Sequence, residues 1–208
     1  MAYSNSIRSF APLRMTVPLP AHLHIYQIPT TLMNKAVFLD RDGVLNREMG
    51  TYVWEPARFE VLPGVPESLA RLKAAGYYLI VITNQAGIAR GLYAAADVQA
   101  CHAKLQQAVG GIIDALYFAP GHPSVSESLR RKPDSLMLEQ ALARFGLDAA
   151  RCWLVGDRLR DMAAAEKAGV RGLLVGPDEP PGFLPRTTDL PAATDFILAA
   201  DAAAPGPH

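Results

Sequence analysis

Val37-Phe38-Leu39-Asp40-Arg41-Asp42-Gly43-Val44 decides how this chain is read. An apolar, strand-like run ends there in two aspartates spaced two apart. Residues at that spacing on an extended backbone share a face. Asp40 and Asp42 are therefore expected to project together from the end of a buried strand, toward one cation and one phosphate. Gly43 then lets the chain turn sharply away. The same run also reads as an ordinary polar turn, since Asp and Gly favour turns. Two carboxylates held close repel each other, so they call for a nearby cation or a raised pKa on one of them, and either outcome favours a functional site.

Outward from this run, apolar strand-like segments alternate with helix-like ones. Strands are expected at residues 36–39, 78–82, 115–118, 152–155 and 172–175, rich in Val, Ile, Leu and Phe as strands buried on both faces are. Helices are expected at residues 63–75, 94–109, 134–145 and 161–168, with Gly76, Gly146 and Gly169 as stops after the first, third and fourth. This alternation predicts an α/β fold of three layers, a parallel sheet covered by helices on both faces. Ligands of such sheets gather beyond the carboxyl ends of the strands, where the motifs below all fall. There is no internal repeat, Walker sequence or dinucleotide-binding glycine pattern.

The chain has 208 residues, half of them hydrophobic, enough for one full core and a single domain. Twenty basic and twenty acidic residues cancel, which gives no electrostatic reason to expect nucleic acid or an anionic membrane as a partner. Cys101 and Cys152 are too few for a disulfide framework and read as buried free thiols, suited to a reducing, cytoplasmic setting. No apolar run approaches the roughly 20 residues needed to span a bilayer. Residues 1–33 lack the continuous apolar core of a signal peptide. With Pro12, Pro18, Pro20 and Pro29 and no sustained period, they read as a poorly ordered arm, with Met33 as the natural start or the arm dispensable. The domain is placed at residues 34–176, followed by a Pro- and Ala-rich tail, 177–208, with one short helix at 192–200. Without a conspicuous exposed apolar stripe, a monomer is expected.

Three more strand ends carry candidate chemistry. Thr83, Asn84 and Gln85 offer a hydroxyl and amides to phosphate oxygens, although Thr and Asn equally serve as helix caps. In Arg131-Lys132-Pro133, Pro133 suits the first turn of a helix and Lys132 can reach back to an anion, although such basic pairs are commonly solvated. Val155-Gly156-Asp157-Arg158-Leu159-Arg160-Asp161 adds carboxylates at the same edge, and Asp157 completes an oxygen-ligand set for a hard cation. Asp161 either binds that metal through water and orients its neighbours, or complements a helix dipole. Four independent turn accidents at successive strand ends are hard to credit.

Taken together, Asp40-Arg41-Asp42-Gly43-Val44, Thr83-Asn84, Lys132, and Gly156-Asp157 with Asp161 resemble the four motifs of the haloacid dehalogenase superfamily of phosphatases, over residues 36–175. The resemblance implies a Rossmann-like sheet and a magnesium-dependent reaction. Asp40 would be the nucleophile that forms an aspartyl-phosphate. Asp42 would protonate the leaving alkoxide and then activate water. Asp40, the Asp42 carbonyl and Asp157 would hold Mg2+, while Thr83, the Asn84 backbone and Lys132 bind the transferring oxygens.

A closer resemblance lies in Asn84-Gln85-Ala86-Gly87-Ile88-Ala89-Arg90-Gly91, Arg131-Lys132-Pro133 and Gly156-Asp157-Arg158. These are similar to the D-glycero-D-manno-heptose 1,7-bisphosphate 7-phosphatases and the related histidinol-phosphatases, compact members without a large cap domain. The spacings agree, since neither residues 43–81 nor 91–118 leave room for one. The resemblance implies a small phosphorylated sugar as substrate, on a route to lipopolysaccharide or glycoprotein heptose, with histidinol phosphate or another small sugar phosphate as alternatives. A catalytically silent phosphate-binding module is a further alternative, opposed by the intact Asp40, Asp42, Lys132 and Asp157. Arg131 would contact a second phosphate, assisted by Arg158, and loops 47–59, with Tyr52 and Trp54, and 121–130 would wall the substrate. Many relatives bind zinc through Cys-Pro-His-His-Pro and Cys-x-Cys before the Arg-Lys-Pro. Here those four ligand positions hold Ala119, Gly121, Ser128 and Arg130, so no structural zinc is expected.

Overall fold

Alternation along β1 (Lys35–Leu39) divides the core in two: Val37 and Leu39 join one apolar cluster, Ala36 and Phe38 the other, and all four are fully buried. The computed structural model describes residues 34–125, 128–176, 182 and 185–203. β2 (Tyr77–Asn84), β3 (Ala115–Ala119), β4 (Trp153–Gly156), β5 (Arg171–Val175) and β6 (Arg186–Thr187) complete a sheet of order β3-β2-β1-β4-β5-β6, parallel at every pairing. α1 (Val65–Ala74), α2 (Ala95–Ala108) and α5 (Leu190–Ala203) supply the cluster that holds Val37. α3 (Leu136–Phe145) and α4 (Leu159–Lys167) supply the cluster that holds Phe38. Each large side chain buried this way stabilises the fold by about 1.5–3 kcal/mol. Cutting Phe38 back to Ala, at the centre of its cluster, costs about 3–5 kcal/mol. The expected three-layer α/β architecture is the one observed, without a large cap domain among the described residues.

The sheet also positions the site. β2 and β3 lie to one side of β1, and β4 and β5 to the other, so strand order reverses at β1. Such a reversal opens a crevice at the carboxyl ends of the strands. The register places Leu39 opposite both Val81 and Val155, and the residues just beyond those three strand ends therefore converge.

Several element boundaries differ from the sequence expectation, each for a packing reason. β2 runs on through Thr83 and Asn84 because they pair with Phe118 and Ala119 of β3. β3 is only half-buried except at Ala119, as its place at the edge of the described sheet dictates. α3 starts at Leu136, so Pro133 stands before the helix rather than in its first turn. α4 starts at Leu159, which puts Asp161 inside its first turn. The segment read as a tail contributes β6, which was not anticipated, and α5, whose Leu190, Ala193 and Ile197 belong to the core. The arm at 1–33 lies outside the described residues. Among the described residues no helix is long and apolar enough to cross a membrane.

Candidate active site

β1 stops at Leu39, and the Asp40 amide still donates to the Val155 carbonyl of β4 at 2.9 Å. Asp40 is 3% exposed, and its Oδ1 accepts from the Arg41 amide at 2.7 Å and meets the Lys132 ammonium at 3.0 Å. The chain then winds about the Arg41 carbonyl, which accepts from the amides of Val44, Leu45 and Asn46. Gly43 makes this turn at φ 85°, and a Cβ there would stand 2.5 Å from Asp157 Oδ2. Only glycine meets both demands, the left-handed backbone and the close approach of a carboxylate.

Carboxylate oxygens of Asp40, Asp157 and Asp161 lie within 4.8 Å of one another. Lys132 Nζ stands among them, 2.6 Å from Asp161 Oδ1, and donates to the Ile82 carbonyl at 2.8 Å. Burial pulls the Lys132 pKa down, but the attraction of Asp161 and then Asp40 outweighs it, and the ammonium is held above the ordinary lysine value. Asp157 is pushed up to about 7, first by burial and then by repulsion from Asp40 and Asp161. Its Oδ1 is buried without a hydrogen-bond partner among the described residues. Three crowded carboxylates, only two of them paired with the Lys132 ammonium, and a buried carboxylate oxygen left unsatisfied fit a hard divalent cation.

Asp42 departs from the expected geometry. It lies beyond the strand, in the turn, and its carboxylate is not part of that cluster. Arg41 Nη2 donates to each of its oxygens at 2.8 Å, Asn46 Nδ2 at 3.0 Å and Gln85 Nε2 at 3.2 Å. Asp40 and Asp42 line one pocket, but the turn brings them there, not the two-residue period of a strand. Arg41 and Asn46 were not singled out in the sequence. The available signal was an arginine flanked by two aspartates, since a buried arginine requires pairing, and Arg41 is 1% exposed.

The remaining candidates take distinct places. Thr83 Oγ1 accepts from Gln85 Nε2 at 3.0 Å. The Asn84 side chain pairs with the backbone of Lys132 in both directions, each bond 3.0 Å, and so fixes the segment that delivers the lysine. Asp161 sits at the helix start as the dipole reading expected: Oδ2 accepts from the Arg158 amide at the start of α4, while Oδ1 faces Lys132. Arg131 lines the pocket and donates to the Gly121 carbonyl at 3.2 Å. Burial and then the nearby Arg160 lower its pKa. Of the two loop aromatics, Tyr52 lines the pocket, whereas Trp54 stacks on Tyr93. The pocket, about 780 Å³, also takes in Arg90, Arg158 and Arg160. The described part of the loop with Ala119, Gly121, Ser128 and Arg130 is tied by Ala89 N to Pro120 O, Val125 N to His122 O, Arg130 N to Ser128 Oγ, and the Arg131–Gly121 bond.

A HAD-hydrolase-like family model matches residues 129–181. The D-glycero-beta-D-manno-heptose-1,7-bisphosphate 7-phosphatase of Haemophilus ducreyi is 38% identical over 146 residues, which take in 66% of this chain and 80% of that protein. The D-glycero-alpha-D-manno-heptose-1,7-bisphosphate 7-phosphatase of Burkholderia mallei is 42% identical over 148 residues, 67% of this chain and 78% of its own. The chain belongs to the heptose-bisphosphate phosphatase family of HAD-like hydrolases. Its fold agrees with the crystal structure of the Bordetella bronchiseptica D,D-heptose 1,7-bisphosphate phosphatase complexed with magnesium and phosphate, at TM-score 0.72 and 32% identity over 81% of this chain and 99% of that one. In this HAD-like hydrolase the four motifs meet at the strand-order reversal, with Lys132 and Asp161 buried behind the pocket that Asp40, Asp42 and the arginines line.

Proposed function

We propose that this protein is a magnesium-dependent phosphatase that removes the 7-phosphate of D-glycero-D-manno-heptose 1,7-bisphosphate through an aspartyl-phosphate. The observation that carries the reading is the buried Lys132 ammonium bracketed by Asp40 and Asp161 behind a pocket that Asp42 also lines. Arg41 N and Lys132 both engage Asp40 Oδ1, which leaves Oδ2 to attack phosphorus in line. As the new O–P bond forms, the sugar oxygen leaves and takes a proton from Asp42. Asp42 then removes a proton from water, which attacks the acyl phosphate, releases inorganic phosphate and restores Asp40. Thr83, the Asn84 backbone and Lys132 bind the transferring oxygens, where charge stabilisation contributes most of the rate.

Asp40, the Asp42 carbonyl and Asp157 would hold Mg2+, with Asp161 behind them. A bound Mg2+ screens the attacking carboxylate from the negative charge of the phosphate. Gln85 steadies Thr83 and Asp42 in the same wall. One phosphate does not need Arg90, Arg131, Arg158 and Arg160 in addition to the groups above. This surplus of cations supports a substrate with a second anionic group, met by Arg131 with help from Arg158. The relatives' substrate has that chemistry. No structural zinc is proposed, because the residues at the four ligand positions cannot assemble a zinc site; stoichiometric zinc by elemental analysis refutes this. Buried thiols at Cys101 and Cys152 support a cytoplasmic enzyme. A monomer is the proposed state, read by light scattering.

Steady-state kinetics on the two heptose bisphosphate anomers, histidinol phosphate and fructose 1,6-bisphosphate test the substrate. The heptose compound is expected to have the highest kcat/KM, and its absence from first place overturns the assignment. Asp40→Asn is expected to keep the fold and abolish turnover, and full activity in that variant removes the mechanism.

A further inference from the structure

Gln85 is held at both ends of its amide. Nε2 donates to Asp42 Oδ2 at 3.2 Å and to Thr83 Oγ1 at 3.0 Å, while Oε1 accepts from the Tyr93 hydroxyl at 2.8 Å. The two ends differ chemically, and a flipped amide would set its carbonyl against the Asp42 carboxylate. Giving the carbonyl its own partner commits the donor end to Asp42 and Thr83. Gln85 is 2% exposed, so water cannot substitute freely for a missing partner.

The chain is folded to deliver Tyr93 to this point. After Gln85 it turns back through Ile88 N to Gln85 O, Gly91 N to Ile88 O and Leu92 N to Gly87 O. Gly87 lies against the returning ring, where a Cβ would stand 2.1 Å from Tyr93 Cε1, so a side chain there would exclude the tyrosine. Trp54 stacks on Tyr93 at 6.0 Å and 13°, and Tyr52 meets its edge at 5.8 Å. Burial pushes the Tyr93 hydroxyl up to about 12, which keeps it a proton donor at any working pH. The loop that carries Trp54 is tied to Asp42 by a second route, since Arg41 Nη2 reaches both the Asp42 carboxylate and the Val53 carbonyl, the latter at 2.6 Å. Contacts thus close a ring through Asp42, Arg41, Val53, Trp54, Tyr93 and Gln85.

We infer that Tyr93 is a positioning residue, which acts through Gln85 to hold the Asp42 carboxylate and the Thr83 hydroxyl in one fixed relation at the phosphate site. The inference rests on the proposed function, in which Asp42 moves the proton and Thr83 binds the transferring phosphoryl group. A carboxylic acid must be aligned with the leaving oxygen in the transition state, and misplacement by about 1 Å lowers rate by as much as 10²-fold. Ground-state binding depends on the arginines and the transferred phosphate's other ligands, which Tyr93 does not touch. Loosening Tyr93 should therefore appear in kcat and not in KM.

The test is a double-mutant cycle of Tyr93→Phe and Gln85→Leu. kcat, KM, melting temperature and Mg2+ affinity are measured with heptose 1,7-bisphosphate or, if that is not turned over, p-nitrophenyl phosphate. Tyr93→Phe keeps the stacked ring and is expected to lower kcat by about tenfold with KM within about twofold. Gln85→Leu lowers kcat further, and the double variant matches Gln85→Leu, because Tyr93 then has no amide to act on. Gln85→Met replaces Gln85→Leu if the latter does not fold. Multiplicative losses in the double variant, or a raised KM with unchanged kcat in Tyr93→Phe, overturn the positioning role while an active wild type leaves the phosphatase reading intact. Full turnover by Asp40→Asn, or a wild type inactive on both phosphates, removes the phosphatase reading and this inference with it.

Discussion

Lys132 Nζ lies 2.6 Å from Asp161 Oδ1, and neither side chain exposes any surface. A buried pair of this kind does not stabilise a fold in proportion to its closeness, because both charges have lost their water. Its consequence is positional: one ammonium is fixed between the carboxylate that starts α4 and the carboxylate at the end of β1.

Removing either partner should separate stability from catalysis. Lys132→Met leaves the buried carboxylates of Asp40 and Asp161 without their shared cation, and an unpaired buried charge of this kind costs about 3–5 kcal/mol. Asp161→Asn leaves the ammonium paired with Asp40 and is expected to melt near the wild type, yet to lose about 10–100-fold in activity or metal affinity, as groups behind a metal site do. Thermal melts and kcat/KM on both variants decide it. Equal loss of stability in the two would show that Asp161, not the balance of charge, is what the fold depends on.

Gly43 couples the turn to the cation site. In Gly43→Ala the left-handed backbone alone costs about 1–3 kcal/mol. The added methyl also contends with Asp157 Oδ2 for the same space, 2.5 Å away. The variant is therefore expected to lose Mg2+ affinity by more than its loss of stability explains. Calorimetry showing wild-type Mg2+ binding in Gly43→Ala would contradict the coupling.

What could be read from the sequence was local. Apolar runs closed by Asp40 and Asp157 marked strand ends, because doubly buried strands are nearly continuous in hydrophobicity and stop abruptly at polar residues, whereas β2 continues through Thr83 and Asn84. What could not be read depended on partners distant in the chain. Arg41 looks like a surface charge until Val53 and Asp42 are seen around its guanidinium. Trp54 looks like a substrate wall until Tyr93 comes back beneath it. Lys132 reads from the sequence as a residue that reaches back to an anion, but not as an ammonium shared among Ile82, Asp40 and Asp161, a triple contact between segments distant in the chain. β6 is too short for any periodic signal, and it forms by pairing with Leu174 and Val175.

The crowded carboxylates set a pH dependence with a definite sign. Burial, and then repulsion from Asp40 and Asp161, pushes Asp157 up to about 7 from the ordinary 3.8 when no cation is bound beside it. The folded state thus holds that proton more tightly than the unfolded chain, and the group's contribution favours folding at low pH and is lost as pH rises from about 4 to about 7. Asp157→Asn removes the repulsion permanently. With chelator present it is expected to melt above the wild type at pH 8 and to show little advantage at pH 5, where Asp157 is already protonated. With saturating Mg2+ the order reverses, since only the wild type gains binding energy from the ion. A variant that melts below the wild type at pH 8 without metal would mean that the Arg158 contact at 3.2 Å outweighs the repulsion.

Asn34 ties the start of the fold into the domain. Asn34 Nδ2 donates to the Phe145 carbonyl at 2.8 Å, its amide to Gly146 O at 3.1 Å, and its carbonyl accepts from Asp148 N at 2.9 Å, which fastens the start of β1 to the end of α3. Both apolar clusters and every candidate site residue lie from Ala36 onward. Deleting residues 1–32 is therefore expected to leave melting temperature and turnover unchanged. Deleting residues 1–34 removes the three bonds, at about 0.5–1.5 kcal/mol each, and should lower the melting temperature by several degrees while sparing KM. If the shorter deletion already abolishes folding or turnover, residues before Asn34 contribute to the domain and its boundary has to move toward the N-terminus.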